Sequence, residues 1–308
     1  MSALAAVQAR VLKESTPARE ERWNFEEGEE IVPGRNAIRL LGGGYKYEAY
    51  LAWDDHLYSL VVAKLLRPHI AGDASSLRTL RAEVRILKML SHPVLVRSFG
   101  SDVSGVRPHV VLEFLEGPRL STLLRKYGYL ALEQVGPLGL QLCSALQYMH
   151  NQGVVHLDVK PRNIIMGATP RLIDLSIARD FDEARRATQP IGTDAYMAPE
   201  QCDPPRYEGM GPAADAWGWG ATMYEAITGE LPFPRAGDEV GDRFPQLHND
   251  VRPIEKPLPP PLVDALTGCL EKRPEDRPTL AEVAEILEPL IAALPRRPVL
   301  TRFRPRAR

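Results

Sequence analysis

The chain has 308 residues, 25% of them charged and 44% hydrophobic, and 38 basic against 40 acidic side chains leave a formal net charge of −2. That is the profile of an ordinary globular chain, long enough to bury a core without disulfides or a structural metal, and its charge gives no bulk attraction to nucleic acid. No apolar run approaches the ~20 residues of a bilayer-spanning helix, Met1–Arg10 lacks a secretory pattern, and Cys143, Cys202 and Cys269 are scattered without a CxxC pair, so no transmembrane segment, reduced thiols and a cytoplasmic location are expected.

Residues 1–35 are polar and weakly periodic, carry six glutamates between 19 and 30, and read as a flexible acidic arm. From Ala37 to Phe114 short β-type runs dominate, at 37–41, 47–53, 58–66, 94–99 and 109–114, with Asp54-Asp55 and the 100–105 stretch supplying turns. Leu77, Leu80, Val84, Leu87 and Leu90 recur at helical steps. His92-Pro93 ends that helix, because the residue before proline is pushed out of the helical region. After about residue 118 the pattern turns helical. Val135, Leu138, Leu142, Leu146 and Met149 form one stripe, and further helices are expected over 213–227, 262–270 and 280–294. A small β-rich part followed by a larger helical one predicts an α+β chain of two lobes, changing near Glu116-Gly117-Pro118. Residues 295–308 hold six arginines and no acid. An acidic partner, a lipid surface or the glutamate-rich start could meet that Pro/Arg-rich tail, and a solvated tail is the plain alternative.

Three stretches carry chemistry. Leu41-Gly42-Gly43-Gly44-Tyr45-Lys46-Tyr47 lies between two expected strands, where glycines let backbone N–H groups approach phosphate oxygens; a flexible hairpin turn is the bland alternative. Val61-Val62-Ala63-Lys64 sets a lysine in a strand that otherwise reads as buried. It either pairs with an anion, for which Glu83 is the candidate, or sits on an edge strand facing solvent. His156-Leu157-Asp158-Val159-Lys160-Pro161-Arg162-Asn163 is followed eleven residues later by Asp174-Leu175-Ser176. There one carboxylate could orient a hydroxyl while the second, with the amide, holds magnesium.

This order, with Ala198-Pro199-Glu200, the helix start Asp215-Ala216-Trp217-Gly218 and Arg277-Pro278, resembles the eukaryotic-type protein serine/threonine kinase family in its bacterial form, over residues 37 to about 292. The resemblance implies the two-lobed kinase fold: a domain over 36–294, with a small antiparallel β-rich lobe over about 36–115 and a helical lobe over about 118–294, flanked by the arm and tail. It further implies an ATP- and magnesium-dependent kinase acting on Ser/Thr hydroxyls of proteins, with its own hydroxyls among the candidate acceptors, because Lys160 and Thr193 fit the serine/threonine branch. In these roles Lys64 contacts the α- and β-phosphates and pairs with Glu83, Asp158 orients the acceptor hydroxyl, and Lys160 neutralises the γ-phosphoryl group. Asn163 and Asp174 hold metal, Gly42, Gly43 and Gly44 cradle phosphates, and Glu113 and Leu115 offer backbone groups to adenine. Leu112 is the gatekeeper, and Leu41, Ala49, Ala63 and Ile165 flank the ring.

Three positions depart from the pattern. Tyr47 replaces a third glycine, which should raise the KM for ATP; Leu157 replaces an arginine that receives a loop phosphate, so activity without phosphorylation of Thr188 is expected; and Ser176 replaces a glycine. Tyr47 and Ser176 support the alternative of a nucleotide-binding scaffold with little phosphotransfer, against which the charged set from Lys64 to Asp174 stands. The sequence does not speak to oligomeric state.

Overall fold

The computed structural model describes residues 21–234 and 243–294. They form two compact units: one runs to Lys88 and takes in Arg97–Phe114, the other comprises Met89–Val96 and the chain from Leu115 onward.

The first unit is an antiparallel sheet of β1 (Glu30–Val32), β2 (Arg35–Gly43), β3 (Tyr47–Asp54), β4 (Ser59–Leu66), β5 (Ser98–Asp102) and β6 (His109–Glu113), in the order β1-β2-β3-β4-β6-β5, with helix α1 (Ala74–Met89). Asp54 makes the β3–β4 turn. Its Oδ1 accepts the backbone N–H groups of His56 and Leu57 at 2.9 and 3.0 Å, the local bonding that suits aspartate to turns. Alternation then sorts the side chains. Tyr50 and Ala52 of β3, Val61, Ala63 and Leu65 of β4 and Val111 of β6 join Ile31, Val32 and Ala37 in one core. Asp73 begins α1 by accepting the Ser76 N–H at 2.7 Å. The helix buries Leu80, Glu83, Val84 and Leu87 and stops before His92-Pro93.

Two expectations differ here. The described part of the acidic arm, 21–35, is built onto the sheet: Trp23 and Phe25 pack on its core and β1 pairs with β2. Each ring has roughly 150–250 Å² to bury, enough to dock a segment whose charge alone reads as solvated. Residues 1–20 and the tail at 295–308 lie outside the described residues. The strand expected at 94–99 instead begins at Ser98. Val94, Leu95 and Val96 are buried in the second unit, where Val96 N–H donates to Leu172 O at 3.1 Å and Leu172 N–H to Val94 O at 2.7 Å.

The second unit holds α2 (Leu120–Tyr127), α3 (Leu132–Asn151), α4 (Phe181–Arg185), α5 (Pro199–Cys202), α6 (Pro212–Thr228), α7 (Pro260–Gly268) and α8 (Leu280–Ala292). Two short hairpin-like pairs, β7 (Val154–Val155) with β10 (Arg179–Asp180) and β8 (Ile164–Ile165) with β9 (Arg171–Leu172), carry the loops of interest. The predicted stripe of α3, Val135 to Met149, is buried. Helix α6 is buried almost all round, as expected of a helix at the centre of a core. Trp217 and Trp219 are buried in this unit, and Trp219 Nε1 donates to Gly139 O at 3.0 Å. A Cβ at Gly218 would stand 3.0 Å from Val159 Cβ, so this glycine lets the 156–163 loop rest directly on α6. No helix among the described residues is long and apolar enough to cross a membrane.

Candidate active site

In the first unit, Lys64 lies on β4 between β3 and β6, not on an edge, and is only 9% exposed. Its Nζ donates to Glu83 Oε1 at 2.7 Å, the partner that its burial demands. Register places Ala49 and Val110 opposite Lys64, and Leu51 and Leu112 opposite Val62, all on one face of the sheet. Ala63 is a correction. It pairs with Tyr50 and Val111, is fully buried in the core on the other face, and is not placed to flank a ring beside Lys64. Half-buried Val62 holds that position, because side chains alternate with a period of two and a one-residue slip changes face.

The Gly-rich turn closes with the Gly44 N–H donating to Tyr47 O at 3.0 Å. Gly42 adopts φ +142°, and a Cβ at Gly43 would run into the Tyr47 carbonyl, so backbone geometry calls for glycine at these two positions. Gly44 meets no such constraint. Leu41, before the turn, is exposed. The Tyr47 ring centroid lies 4.5 Å from Lys64 Nζ, a cation–π contact. The N–H of Glu113 donates to Arg97 O at 2.9 Å, while its carboxylate takes Arg97 Nη2 at 2.9 Å and Nε at 3.1 Å.

The second unit builds the 156–163 loop on a buried carboxylate. Asp215 Oδ2 accepts the His156 N–H and Oδ1 the Leu157 N–H, each at 2.8 Å, and Oδ2 also meets His150 Nε2 at 2.9 Å. His150 is therefore part of the loop's support. Burial alone would push the Asp215 carboxyl up; the hydrogen bond and charge of His150 and the His156 N–H outweigh it and hold the group below the usual carboxylate range. Leu157 sits at φ 65°, unfavourable for a branched residue, and the bonds at its N–H and from Gln201 Nε2 to its carbonyl (2.8 Å) hold it there. Its side chain is 3% exposed among Ala184, Met210 and Trp217. A group with a depressed folded-state pKa stabilises above its unfolded value, about 3.9 for aspartate, and that contribution is lost as pH falls through the folded value. Thermal melts should accordingly show wild type above Asp215→Asn near neutral pH, with the gap closing below about pH 4.

Asp158 is held at both oxygens. Thr193 Oγ1 donates to Oδ1 at 2.7 Å, Lys160 Nζ to Oδ2 at 2.6 Å, and Asn163 Nδ2 to Oδ2 at 2.9 Å and to the Asp158 carbonyl at 3.0 Å. With its amide nitrogen so committed, Asn163 has its amide oxygen as the remaining donor to a cation. Asp174 lies at φ 68°, a left-handed non-glycine backbone of the kind that clusters at functional sites. The segment before it is tied to the loop by the Ile173 N–H, which donates to Asn163 O at 2.8 Å. Leu115 and Ile165 are half-buried in this unit. Gln201 was not foreseen. Its Nε2 bonds both Leu157 O and Ile191 O, at 2.8 and 2.9 Å, joining the two loops, and a glutamine after Ala-Pro-Glu gives no spacing signal of that role. Glu200 and Arg277 form a bidentate pair at 2.6 and 2.8 Å.

The model of the family described as protein kinase domain matches residues 35–287. The chain is 32% identical over 257 residues to the serine/threonine-protein kinase PknB of Mycobacterium leprae, an alignment covering 77% of this chain and 40% of that protein. It is 33% identical over 236 residues to the serine/threonine-protein kinase PkaA of Streptomyces coelicolor, covering 73% and 42%. With the serine/threonine-protein kinase Pkn1 of Myxococcus xanthus it shares 31% over 274 residues, covering 83% and 38%. The alignments thus span about 40% of the length of these curated relatives.

Proposed function

The chain belongs to the protein kinase domain family, and from that premise we propose that it transfers the γ-phosphoryl group of ATP to serine and threonine hydroxyls of proteins, with magnesium as its metal. The observation that carries this reading is the Asp158 carboxylate, gripped by Lys160, Asn163 and Thr193 and so fixed to orient a hydroxyl and take its proton. Lys160 would neutralise charge on the transferring group. Lys64, held by Glu83, would meet the α- and β-phosphates, and the turn at Gly42, Gly43 and Gly44 would offer them N–H groups. Leu41, Ala49, Val62, Leu112 and Ile165 are the apolar groups we assign to adenine, with backbone groups of Glu113 and Leu115.

Family membership implies ATP and a divalent metal. Asn163 and Asp174 fit magnesium, being hard oxygen donors, and among the described residues no group of three or more acids, histidines or cysteines forms a cage for an ion. Two protein oxygens with phosphates completing the sphere is the arrangement magnesium favours. When bound, the metal draws off phosphate charge. All three cysteines are free and buried, which fits the reducing cytoplasm where we place the chain. Leu157 offers no cation to a phosphorylated Thr188, so we assign activity that does not depend on that modification.

Tyr47 tempers the nucleotide site. A ring against Lys64 is a contact of about 0.5–2 kcal/mol, so Tyr47→Gly should lower the KM for ATP roughly 2- to 30-fold. An unchanged KM in initial-rate assays would contradict that role. The function itself is tested by incubating the purified chain with γ-labelled ATP, magnesium and a basic acceptor protein. Label is expected in wild type and not in Asp174→Asn or without divalent metal; equal label in all three would sink the reading.

A further inference from the structure

A second buried ion pair lies in the first unit, away from Lys64 and Glu83. Glu48, 1% exposed, stands on β3 opposite Gly43, and its Oε1 is 3.4 Å from Nη1 of Arg67, itself 4% exposed. Burying two charges is costly, so a buried pair is weak evidence of a stabilising role. What they touch is informative. Arg67 Nε donates to Gly44 O at 2.6 Å and the Arg67 N–H to Lys46 O at 3.0 Å, so one residue fixes two carbonyls of the Gly-rich turn. A trans peptide is planar with its C=O and N–H opposed, so turning the Gly44 carbonyl toward Arg67 aims the Tyr45 N–H the other way.

The other end of the network reaches the N-terminal segment. Glu48 Oε2 accepts the Trp23 N–H at 3.2 Å and the Tyr50 hydroxyl at 3.1 Å, and Trp23 Nε1 donates to Leu66 O, next to Arg67, at 2.8 Å. Burial and the neighbouring Glu48 charge push the Tyr50 phenol up to about 12, so it stays a donor to that carboxylate at neutral pH. Arg107 clamps the segment from outside, its guanidinium 4.7 Å from the Phe25 ring and bonded to the carbonyls of Glu30 and Ile31 at 2.9 and 2.8 Å.

We propose that Glu48 and Arg67 are positioning residues for nucleotide, coupling the docked Trp23–Phe25 segment to the Gly-rich turn so that the segment sets how firmly the turn presents its N–H groups to a phosphate. The consequence for ATP rests on the kinase reading; the coupling itself does not. The segment is thereby a control point for nucleotide affinity, open to anything that lifts Trp23 from Leu66.

The test uses two conservative variants of the full chain. Trp23→Phe keeps a ring and removes the indole donor; Arg67→Lys keeps the charge beside Glu48 and removes the Nε donor to Gly44. Amide hydrogen exchange read by mass spectrometry over 42–47, without nucleotide, should accelerate in both. The KM for ATP should rise about 2- to 10-fold, the size of one hydrogen bond, with the KM for the protein acceptor unmoved. Lower melting temperatures with unchanged exchange at 42–47 and unchanged KM for ATP would overturn the proposal, leaving the network as packing. Should Arg67→Lys unfold, Trp23→Phe alone decides. A wild-type chain that transfers no phosphate, yet shows accelerated exchange in the variants, would support the coupling and overturn the kinase reading.

Discussion

Asp158→Asn should lower kcat by about 100- to 10,000-fold while nucleotide affinity stays within about twofold, because the loss is of a proton acceptor and not of a phosphate contact. The substitution keeps the shape of a group that fills one precise slot. An amide oxygen at the Oδ2 position still accepts from Lys160 and Asn163, and an amide nitrogen at the Oδ1 position can donate to Thr193 Oγ1, which then turns its own hydroxyl elsewhere. The loop therefore has no reason to move, and the hydrogen bonds that the His156 and Leu157 N–H groups donate to Asp215 lie outside the change. Steady-state kinetics beside a nucleotide titration separate the two quantities. A variant that loses nucleotide binding in step with kcat would place Asp158 in binding, not in proton transfer.

Arg277→Met should destabilise the second unit by about 3–5 kcal/mol, seen as a melting temperature lower by roughly 6–20 °C. The reason is what remains behind. Arg277 and Glu200 have side chains 0% and 1% exposed, and the guanidinium also bonds the carbonyls of Glu271, Ala213 and Lys272, at 2.8, 2.8 and 3.2 Å, while lying 5.0 Å from the Trp217 ring. Its donors are thus spread over three carbonyls and one carboxylate. Removing it strands the Glu200 carboxylate in the core, so Glu200→Gln added to Arg277→Met should recover part of the loss. If the double variant is no more stable than Arg277→Met, the uncompensated carboxylate is not the cause.

Much of the fold was legible because periodicity and burial agree. The Val135–Met149 stripe of α3 and the alternation in β3 and β4 each report a face that must be covered. The Lys64–Glu83 pair was legible for an electrostatic reason, since a lysine in a buried strand needs an anion and α1 offers one on its buried side. The misreadings have equally specific causes. The resemblance implies Ala63 as a ring-flanking residue, but neighbours on a strand face opposite ways, and that rule points to Val62 on the Lys64 face. The 94–99 run opens on three consecutive apolar residues, Val94, Leu95 and Val96, without alternation, so nothing in it reveals that Leu95 bridges to Leu172 while the sheet strand begins at Ser98. Trp23 and Phe25 were hidden by the glutamates around them, and Glu48 and Arg67 by looking like surface charges on a hairpin. Long-range partners of single polar residues, Gln201 and His150 among them, leave no local pattern to read.

Phosphoryl transfer to serine and threonine is read out by phosphoamino-acid analysis of the product. Wild-type chain incubated with γ-labelled ATP and magnesium, followed by acid hydrolysis and separation, is expected to yield labelled phosphoserine and phosphothreonine, reduced at least about 100-fold in the Asp158→Asn reaction. Label confined to phosphotyrosine, or no label above the Asp158→Asn background, would contradict it.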